Sequence, residues 1–207
     1  MDETEKLLFS IKVTSKCRYQ ASVRLSLYNH FCFFTTTVLS LGLIFIPLMQ
    51  MSGVKLYFNS QIINALQIFL AVAILVFSNI ISSANYAVRA QNLNACGDAL
   101  KKLARKIAAE TKQDKKLSQT EIAKYIEEYS NITEKYENHI RTDYKQTLFD
   151  VRNERITGIR WVNLNVQIVV NYIIDYFVPI CLMVFEIVLI LDMLGVTQLL
   201  AIFIIKK

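Results

Sequence analysis

The chain has 207 residues, a net charge of +6 and an isoelectric point of about 9.1, and 54% of its residues are hydrophobic. Soluble domains usually contain roughly 45–50% apolar residues, and the mean hydropathy of this chain is +0.34. The excess positive charge lies beside long uncharged stretches instead of on a separate polar domain, so we expect a membrane protein and no direct, specific DNA binding.

The first 30 residues predict an amphipathic lead-in helix. Apolar residues such as Leu7 and Ile11 alternate with Lys12, Lys16 and Arg18, and neither Gly nor Pro interrupts the segment. Such a helix either lies on the cytoplasmic face of a membrane or packs on later helices.

Two long uncharged stretches follow, and only Lys55 separates them. Leu25–Val54 contains 30 residues and Leu56–Val88 contains 33 residues without Asp, Glu, Lys or Arg. A bilayer core needs about 20 apolar helical residues. The sequence therefore predicts a transmembrane hairpin over residues 31–88, with spans at about Phe31–Met49 and Ile62–Ile81. The basic flanks place the N-terminus and residues 89–160 in the cytoplasm.

Residues 89–160 predict a cytoplasmic helical hairpin of the coiled-coil type. Apolar residues recur at spacings of three and four along two segments, and Ser118 with Glu121 matches a capping box between them. The two seams can pack on each other or serve as an oligomerisation surface. Their residues are Leu93, Cys96, Leu100, Leu103 and Ile107 in the first helix, and Ile122, Tyr125, Tyr129, Ile132 and Tyr136 in the second.

The C-terminal region, residues 161–207, is apolar but carries Asp175, Glu186 and Asp192, and it contains Pro179 and Gly195. One span over about Tyr176–Leu194 fits this composition. An interfacial helix followed by a broken or re-entrant segment fits it equally, so the region spans, re-enters or lies on the membrane.

Two polar stripes are the candidates for function. If the last helix continues through Pro179, Asp175 and Glu186 lie about 20° apart on one face, below Asn163, Gln167 and Asn171. Acids at bilayer depth face a pore, a bundle interior or a partner. The second stripe either bonds between helices or lines a pore after oligomerisation. Its members, from the second span to its inner end, are Asn64, Gln67, Ser78, Ser82, Asn85 and Arg89.

No signature of catalysis is present in the sequence. His30 and His139 lie far apart, the four cysteines are isolated, and no nucleotide-binding or hydrolase motif occurs. We therefore expect no enzyme activity, no catalytic or metal-ligating residue and no cofactor.

The order of these features resembles a known family. A basic helix with Lys16-Cys-Arg18-Tyr-Gln-Ala-Ser22-Val-Arg24 leads into the hairpin, which exits through Tyr86-Ala-Val-Arg89-Ala-Gln-Asn-Leu93. Tyr129, Tyr136-Glu-Asn138-His139 and Asp143-Tyr144 follow. The chain resembles the SLATT family of two-transmembrane bacterial effectors, in particular a subgroup with an additional C-terminal apolar region.

This resemblance implies a pore-forming or membrane-perturbing effector of a bacterial anti-phage system that acts by abortive infection. It implies a homo-oligomer in the inner membrane, held silent until a nucleotide-second-messenger or reverse-transcriptase-associated sensor encoded nearby is triggered. Arg89 matches the membrane-exit position of the family. The resemblance supplies no catalytic residues.

The sequence thus predicts an all-α membrane protein with four parts: the lead-in helix (1–30), the transmembrane hairpin (31–88), the cytoplasmic hairpin (89–160) and the C-terminal region (161–207). Its partners are the lipid bilayer and further copies of itself. Two other functions remain open from the residues: a non-toxic ion channel or transporter subunit, and a membrane scaffold that recruits a partner through its cytoplasmic helices.

Overall fold

The computed structural model describes residues 2–53, 58–111, 117–152 and 159–200, and the regular structure in these ranges is helical throughout, which confirms the all-α prediction. In chain order the helices are α1 (Glu3–Met51), α2 (Ser60–Ala84), α3 (Tyr86–Thr111), α4 (Gln119–Glu134), α5 (Arg141–Arg152) and α6 (Ile159–Met193). Lys55 and the two terminal lysines lie outside the described residues.

The chain divides into two compact units. Met1–Leu27 and Tyr86–Asn171 form one unit, which carries the whole net charge of +6 and is called the basic unit here. Tyr28–Asn85 and Tyr172–Lys207 form the second, the apolar unit, whose charged residues sum to zero. Helix α1 contributes its first part to the basic unit and its remainder to the apolar unit.

The core of the basic unit joins α1, α3 and α4. Leu7 and Ile11 of α1 pack with the two predicted seams, so the lead-in segment packs on later helices within this unit. A smaller cluster continues the α1–α3 contact through Ala21, Leu25 and Ala90. Burial of these apolar faces is the main stabilising contribution of such a helical core.

Local sequence explains where several helices begin and end. Ser118 and Glu121 form the predicted capping box at the start of α4, with both reciprocal hydrogen bonds present. At the start of α2, the side chain of Asn59 accepts a hydrogen bond from the Gln61 amide. Helix α2 ends because Asn85 adopts the left-handed conformation, with φ of 49°, which asparagine tolerates better than most residues.

The apolar unit consists of the second part of α1, α2 and α6. Its core contains Ile46 of α1, Ile63 and Leu70 of α2, and Leu189 and Met193 of α6. Large apolar side chains also cover its outer surface. Phe33, Ile68 and Leu75 are 74%, 66% and 64% exposed, an arrangement that suits contact with lipid tails and not with water.

Three helical stretches among the described residues are long and apolar enough to cross a membrane. They are Glu3–Met51, which is α1, Ser60–Thr111, which comprises α2 and α3, and Ile173–Met193, which belongs to α6. Helix α6 is continuous through Pro179, so the condition for a shared face of Asp175 and Glu186 is met. For the C-terminal region, the sequence left a continuous helix and a broken segment as alternatives. The structure has a single helix, α6, up to Met193, and a turn follows at Gly195, whose φ is 74°.

Candidate functional site

Glu186 of α6 places a carboxyl group inside the apolar unit. The residue is 1% exposed, and its Oε1 atom has no hydrogen-bond partner among the residues that the structure describes. It shares the buried face of α6 with Leu189 and Met193. An ionised acid at the centre of a membrane helix costs roughly 2.5–3.5 kcal/mol on insertion scales. An acid kept at such a position is therefore a strong functional candidate.

Gly42 of α1 makes room for this carboxyl group. A Cβ atom on Gly42 would stand 2.5 Å from both Cδ and Oε1 of Glu186, closer than real Cβ contacts allow. Thr35, Leu39 and Ile46 lie on the same buried face of α1, as expected for positions three and four residues apart on a helix. The carboxyl group of Glu186 therefore lies directly on the backbone of α1.

Gly42 was not among the residues predicted from the sequence to carry function. It is the only glycine in the predicted first span, Phe31–Met49. Small residues mark places where membrane helices approach closely, and this signal could have identified it.

Asp192, six residues after Glu186, is also buried at 1% exposure, but both of its carboxylate oxygens accept hydrogen bonds. It accepts hydrogen bonds from the hydroxyl of Thr197 and from the amides of Leu199 and Leu200. These bonds satisfy backbone donors in the turn that follows α6. Asp192 therefore has a structural explanation that Glu186 lacks.

Asp175 differs from Glu186 although both lie on one continuous helix. Asp175 is exposed, while the neighbouring Tyr176 packs its ring on Tyr28 and Phe31 of α1, with ring centroids 5.2 and 4.8 Å apart. The predicted stripe thus contains an exposed acid and a buried one. The side chains of Asn163, Gln167 and Asn171, which the sequence placed on the same stripe, lie outside the described part of the chain.

The stripe on α2 also has two kinds of members. The amide of Gln50 donates to Asn64 Oδ1 at 3.0 Å, and Gln67 donates to the Leu43 carbonyl at 3.4 Å, so Asn64 and Gln67 bond to α1. The side chains of Ser78 and Ser82 are exposed. Asn85 ends the helix, as described above. The structure therefore supports helix–helix bonding for the first pair and leaves pore lining as a prediction for the serines.

Arg89 lies near the start of α3 and belongs to the basic unit. Its Nε atom donates to Glu137 Oε2 at 2.8 Å, and its guanidinium lies 5.6 Å from the ring centre of Tyr86. Arg18 of α1 donates to the backbone carbonyl of the same Glu137. Glu137, which follows α4, is thus held by arginines from two different helices.

A second ion pair in the basic unit is more buried. Arg24 of α1 donates twice to the carboxylate of Asp143 in α5, at 3.2 Å each. Asp143 also accepts from the Ile140 amide at 3.1 Å, and its side chain is 4% exposed. This bidentate geometry fixes α5 to α1.

The predicted seam residues form the interior of the basic unit. Leu93, Cys96, Leu100, Leu103 and Ile107 are at most 2% exposed, Ile122 and Tyr125 are buried, and Tyr129, Ile132 and Tyr136 pack against this core. The seams therefore pack on each other and on α1 within one chain. Their use between subunits stays a prediction.

Nucleophilic chemistry has weak support in the described residues. Cys17, Cys32 and Cys96 are buried and Cys181 is exposed, and all four are free thiols. Burial raises the pKa of Cys17 and of Cys96, which keeps these thiols protonated and poorly reactive. Within the described ranges, no group of three or more His, Cys, Asp or Glu side chains could hold a metal ion.

Comparison with known proteins identifies the family. The family model described as SMODS and SLOG-associating 2TM effector domain family 5 matches residues 1–192. No curated protein and no solved structure matches the chain significantly. The matched range includes α6, a third apolar helix beyond the two transmembrane segments that the description names. The chain therefore belongs to this family of SMODS- and SLOG-associating effector domains and is a membrane effector of a conflict, or anti-phage, system.

Proposed function

We propose that the chain is an abortive-infection effector that oligomerises in the bacterial inner membrane and, when triggered, forms a pore or disrupts the bilayer. It acts without catalysing a reaction of its own. The observation that carries this proposal is the buried carboxyl group of Glu186 inside the apolar unit, whose Oε1 atom lacks a hydrogen-bond partner among the residues that the structure describes. A buried acid at that position does not stabilise a helix bundle, so its presence is better explained by a function.

We assign Glu186 the role of a gate. Its carboxyl group lies on Gly42, so α1 and α6 must separate before water or ions can reach it. Separation would hydrate the acid and remove the cost of its burial, which favours the open state once the helices part. A trigger can drive this change only if it binds the open state more tightly than the closed one.

Oligomerisation is required because three helices per chain are too few to enclose a conducting path. The exposed hydroxyls of Ser78 and Ser82 and the exposed carboxylate of Asp175 are the candidates to line a pore between subunits. They lie among exposed apolar side chains such as Leu75. In such surroundings a polar side chain is stabilised by a hydrogen bond to a polar group of a neighbouring helix.

The orientation follows from charge. The basic unit carries the net charge of +6, and Lys/Arg-rich segments remain on the cytoplasmic side. A cytoplasmic basic unit is accessible to a sensor, such as a nucleotide-second-messenger or reverse-transcriptase-associated partner encoded nearby. Because only Asn85 separates α2 from α3, Arg89 is the residue through which a movement of the basic unit would reach the second span.

The first experiment is induction of the chain alone in a bacterial host, with growth, membrane insertion and a voltage-sensitive dye followed together. Depolarisation that precedes growth arrest supports the effector. If the potential stays unchanged, the chain is co-expressed with its genomic neighbours and the trigger is supplied. An unchanged potential under those conditions contradicts pore formation and favours the scaffold, whereas ion-selective current without toxicity favours the channel subunit.

The variants test the site at equal membrane abundance. We expect Glu186→Leu to relieve toxicity, and Ser78→Leu combined with Ser82→Leu to relieve it as well. The matched control is Ser83→Leu, which alters an exposed serine beside Ser82 whose hydroxyl bonds to its own helix at Asn79. Normal toxicity of the Glu186 variant would contradict the gate assignment.

A further inference from the structure

The basic unit contains a polar cavity of about 400 Å³ that the proposed function does not use. Helix α1 contributes Thr14 and Arg18, α4 contributes Tyr129 and Thr133, and the segment after α4 contributes Tyr136 and His139. Arg18, Tyr129, Tyr136 and His139 all stand in the sequence segments that carry the family resemblance. We call this space the Arg18 cavity.

Arg18 is the central feature of the cavity. The residue is 3% exposed and keeps its positive charge at any relevant pH. One terminal nitrogen donates to the Glu137 carbonyl, but the Nε–H group has no hydrogen-bond partner in the described part of the chain. A buried guanidinium donor without an acceptor costs free energy that an anionic ligand would recover.

His139 gives a second, independent indication. Its Nδ1 atom is buried and also lacks a partner among the described residues. Burial first, and the positive charge of Arg18 second, lower the pKa of His139, while Asp143 raises it. Asp143 is already paired with Arg24.

The remaining lining adds donors and aromatic surface. The hydroxyls of Thr14 and Tyr129 hydrogen-bond to each other at 2.8 Å. One of the two O–H groups donates in this bond, and the other can donate its hydrogen to a ligand. Glu134 also lines the cavity, but this residue is exposed and therefore hydrated. The volume falls within the roughly 300–1,000 Å³ range of small-molecule sites, which leaves room for an organic group beside the tyrosine rings.

We propose that the Arg18 cavity binds the phosphate group of a small phosphate ester, with Arg18 Nε and His139 Nδ1 as its principal contacts. Arginine suits this task because its planar, permanently charged fork matches phosphate oxygens. The ester comes either from a soluble metabolite or from a lipid headgroup, which present the same chemistry to the cavity.

Phosphate binding at Arg18 would also affect Arg89, because both arginines contact Glu137. Glu137 accepts from Arg18 through its carbonyl and from Arg89 through its carboxylate. A phosphate that draws the Arg18 guanidinium toward itself competes with the Glu137 carbonyl and so loosens the segment that holds Arg89. This regulatory step rests on the proposed function, whereas the phosphate site does not.

A larger groove of about 570 Å³ between α1 and α3 supplies a matched control. It is lined by Lys12, Lys16, Lys101 and Arg105 over an apolar floor that includes Leu8 and Ala104. Substitution of Lys101, which is exposed, removes one positive charge from the same unit without touching the Arg18 cavity.

The test is equilibrium dialysis of radiolabelled inorganic phosphate against the purified full chain in detergent at fixed ionic strength. We expect saturable binding to the wild type and to Lys101→Gln, and a loss of about tenfold or more in Arg18→Lys, which keeps the charge but loses the fork. Circular dichroism verifies folding. Because Arg18 also holds Glu137, His139→Ala and Thr14→Val serve as independent variants, each expected to weaken binding.

Absence of saturable binding to the wild type, or equal binding by the wild type and all three cavity variants, would overturn the site. Competition by glycerol phosphate identifies a soluble ester, and stronger competition by a short-chain phosphatidic acid identifies a headgroup. Phosphate binding without any effect of the cavity variants on depolarisation would overturn the regulatory step alone. Failure of depolarisation itself would contradict the proposed function and leave the phosphate site intact.

Discussion

Both units of this chain bury polar side chains, but in the described residues the basic unit bonds more of them from helix to helix. In that unit Ser15 donates to the Gly97 carbonyl, Ser22 donates to the Ala90 carbonyl, and Arg24 pairs with Asp143. Its unpartnered buried atoms include Arg18 Nε and His139 Nδ1, which line the Arg18 cavity. In the apolar unit, Glu186 and Thr35 are buried with an oxygen that lacks a partner in the described residues. Both units nevertheless contain part of the same continuous helix, α1.

The outer surfaces also differ. Exposed charged side chains such as Lys101 are frequent on the basic unit, whereas the described surface of the apolar unit exposes many large apolar side chains. A single helix can therefore suit water in one part and lipid in another when its polar pattern changes along its length. In each unit the buried polar atoms that lack a partner in the described residues, such as Arg18 Nε and Glu186 Oε1, are the exceptions that need a functional explanation.

The largest expected contrast is between a buried and an exposed leucine. Leu100 in the basic unit is fully buried, and Leu100→Ala should destabilise the fold by about 2–5 kcal/mol because it leaves a cavity. Leu75 in the apolar unit is 64% exposed, so Leu75→Ala should leave folding in detergent nearly unchanged but reduce membrane partitioning. Chemical unfolding and liposome flotation measure the two effects. A large loss of stability for Leu75→Ala would mean that this face packs on protein.

The next contrast concerns the ion pairs of the basic unit. Asp143→Asn should cost about 1.5–3 kcal/mol, because it weakens charged hydrogen bonds with Arg24 in a largely buried position. The matched control is Lys106→Ala, which breaks the exposed pair with Glu128 and should cost at most about 1 kcal/mol. The midpoint of urea unfolding compares them. Equal costs would show that the Arg24 pair is hydrated in solution.

Gly42 tests the packing of the apolar unit. Gly42→Ala adds a Cβ at 2.5 Å from the Glu186 carboxyl group and should cost about 1–3 kcal/mol through overpacking. Combining it with Glu186→Ala should recover most of the loss, since the second change removes the clashing atoms. Thermal unfolding of the four proteins of this double-mutant cycle in detergent measures the coupling. Additive effects would contradict the contact between these two residues.

Much of the fold follows from composition and periodicity. Uncharged runs longer than a bilayer core indicated the apolar helices, and spacings of three and four identified Leu100 and its neighbours as the seam. Ser118 and Glu121 predicted the start of α4 because capping depends on residues three positions apart. Each of these signals depends on residues that are close together in the sequence, so it can be read from a single sequence.

The site residues were less accessible because their roles depend on tertiary contacts. The sequence identified Glu186 as an acid in an apolar helix, but it could not show that Gly42, distant in sequence, lies against it. Asp175 and Glu186 lie on one continuous helix, yet one is exposed and the other buried, because burial depends on which helices pack at each level. Arg18 and His139 come together only when α1 meets the segment after α4.

The smallest expected contrast concerns the N-caps of α4 and α2. Ser118→Ala removes the acceptor for the Glu121 amide and should cost about 1 kcal/mol, seen as faster hydrogen exchange in the first turn of α4. Asn59→Ala removes the corresponding bond to the Gln61 amide. We expect a smaller effect there in a lipid bilayer, because backbone hydrogen bonds of a span face little competition from water. If both caps protect their first turns equally, the start of α2 lies in water, and the second span begins further along the helix.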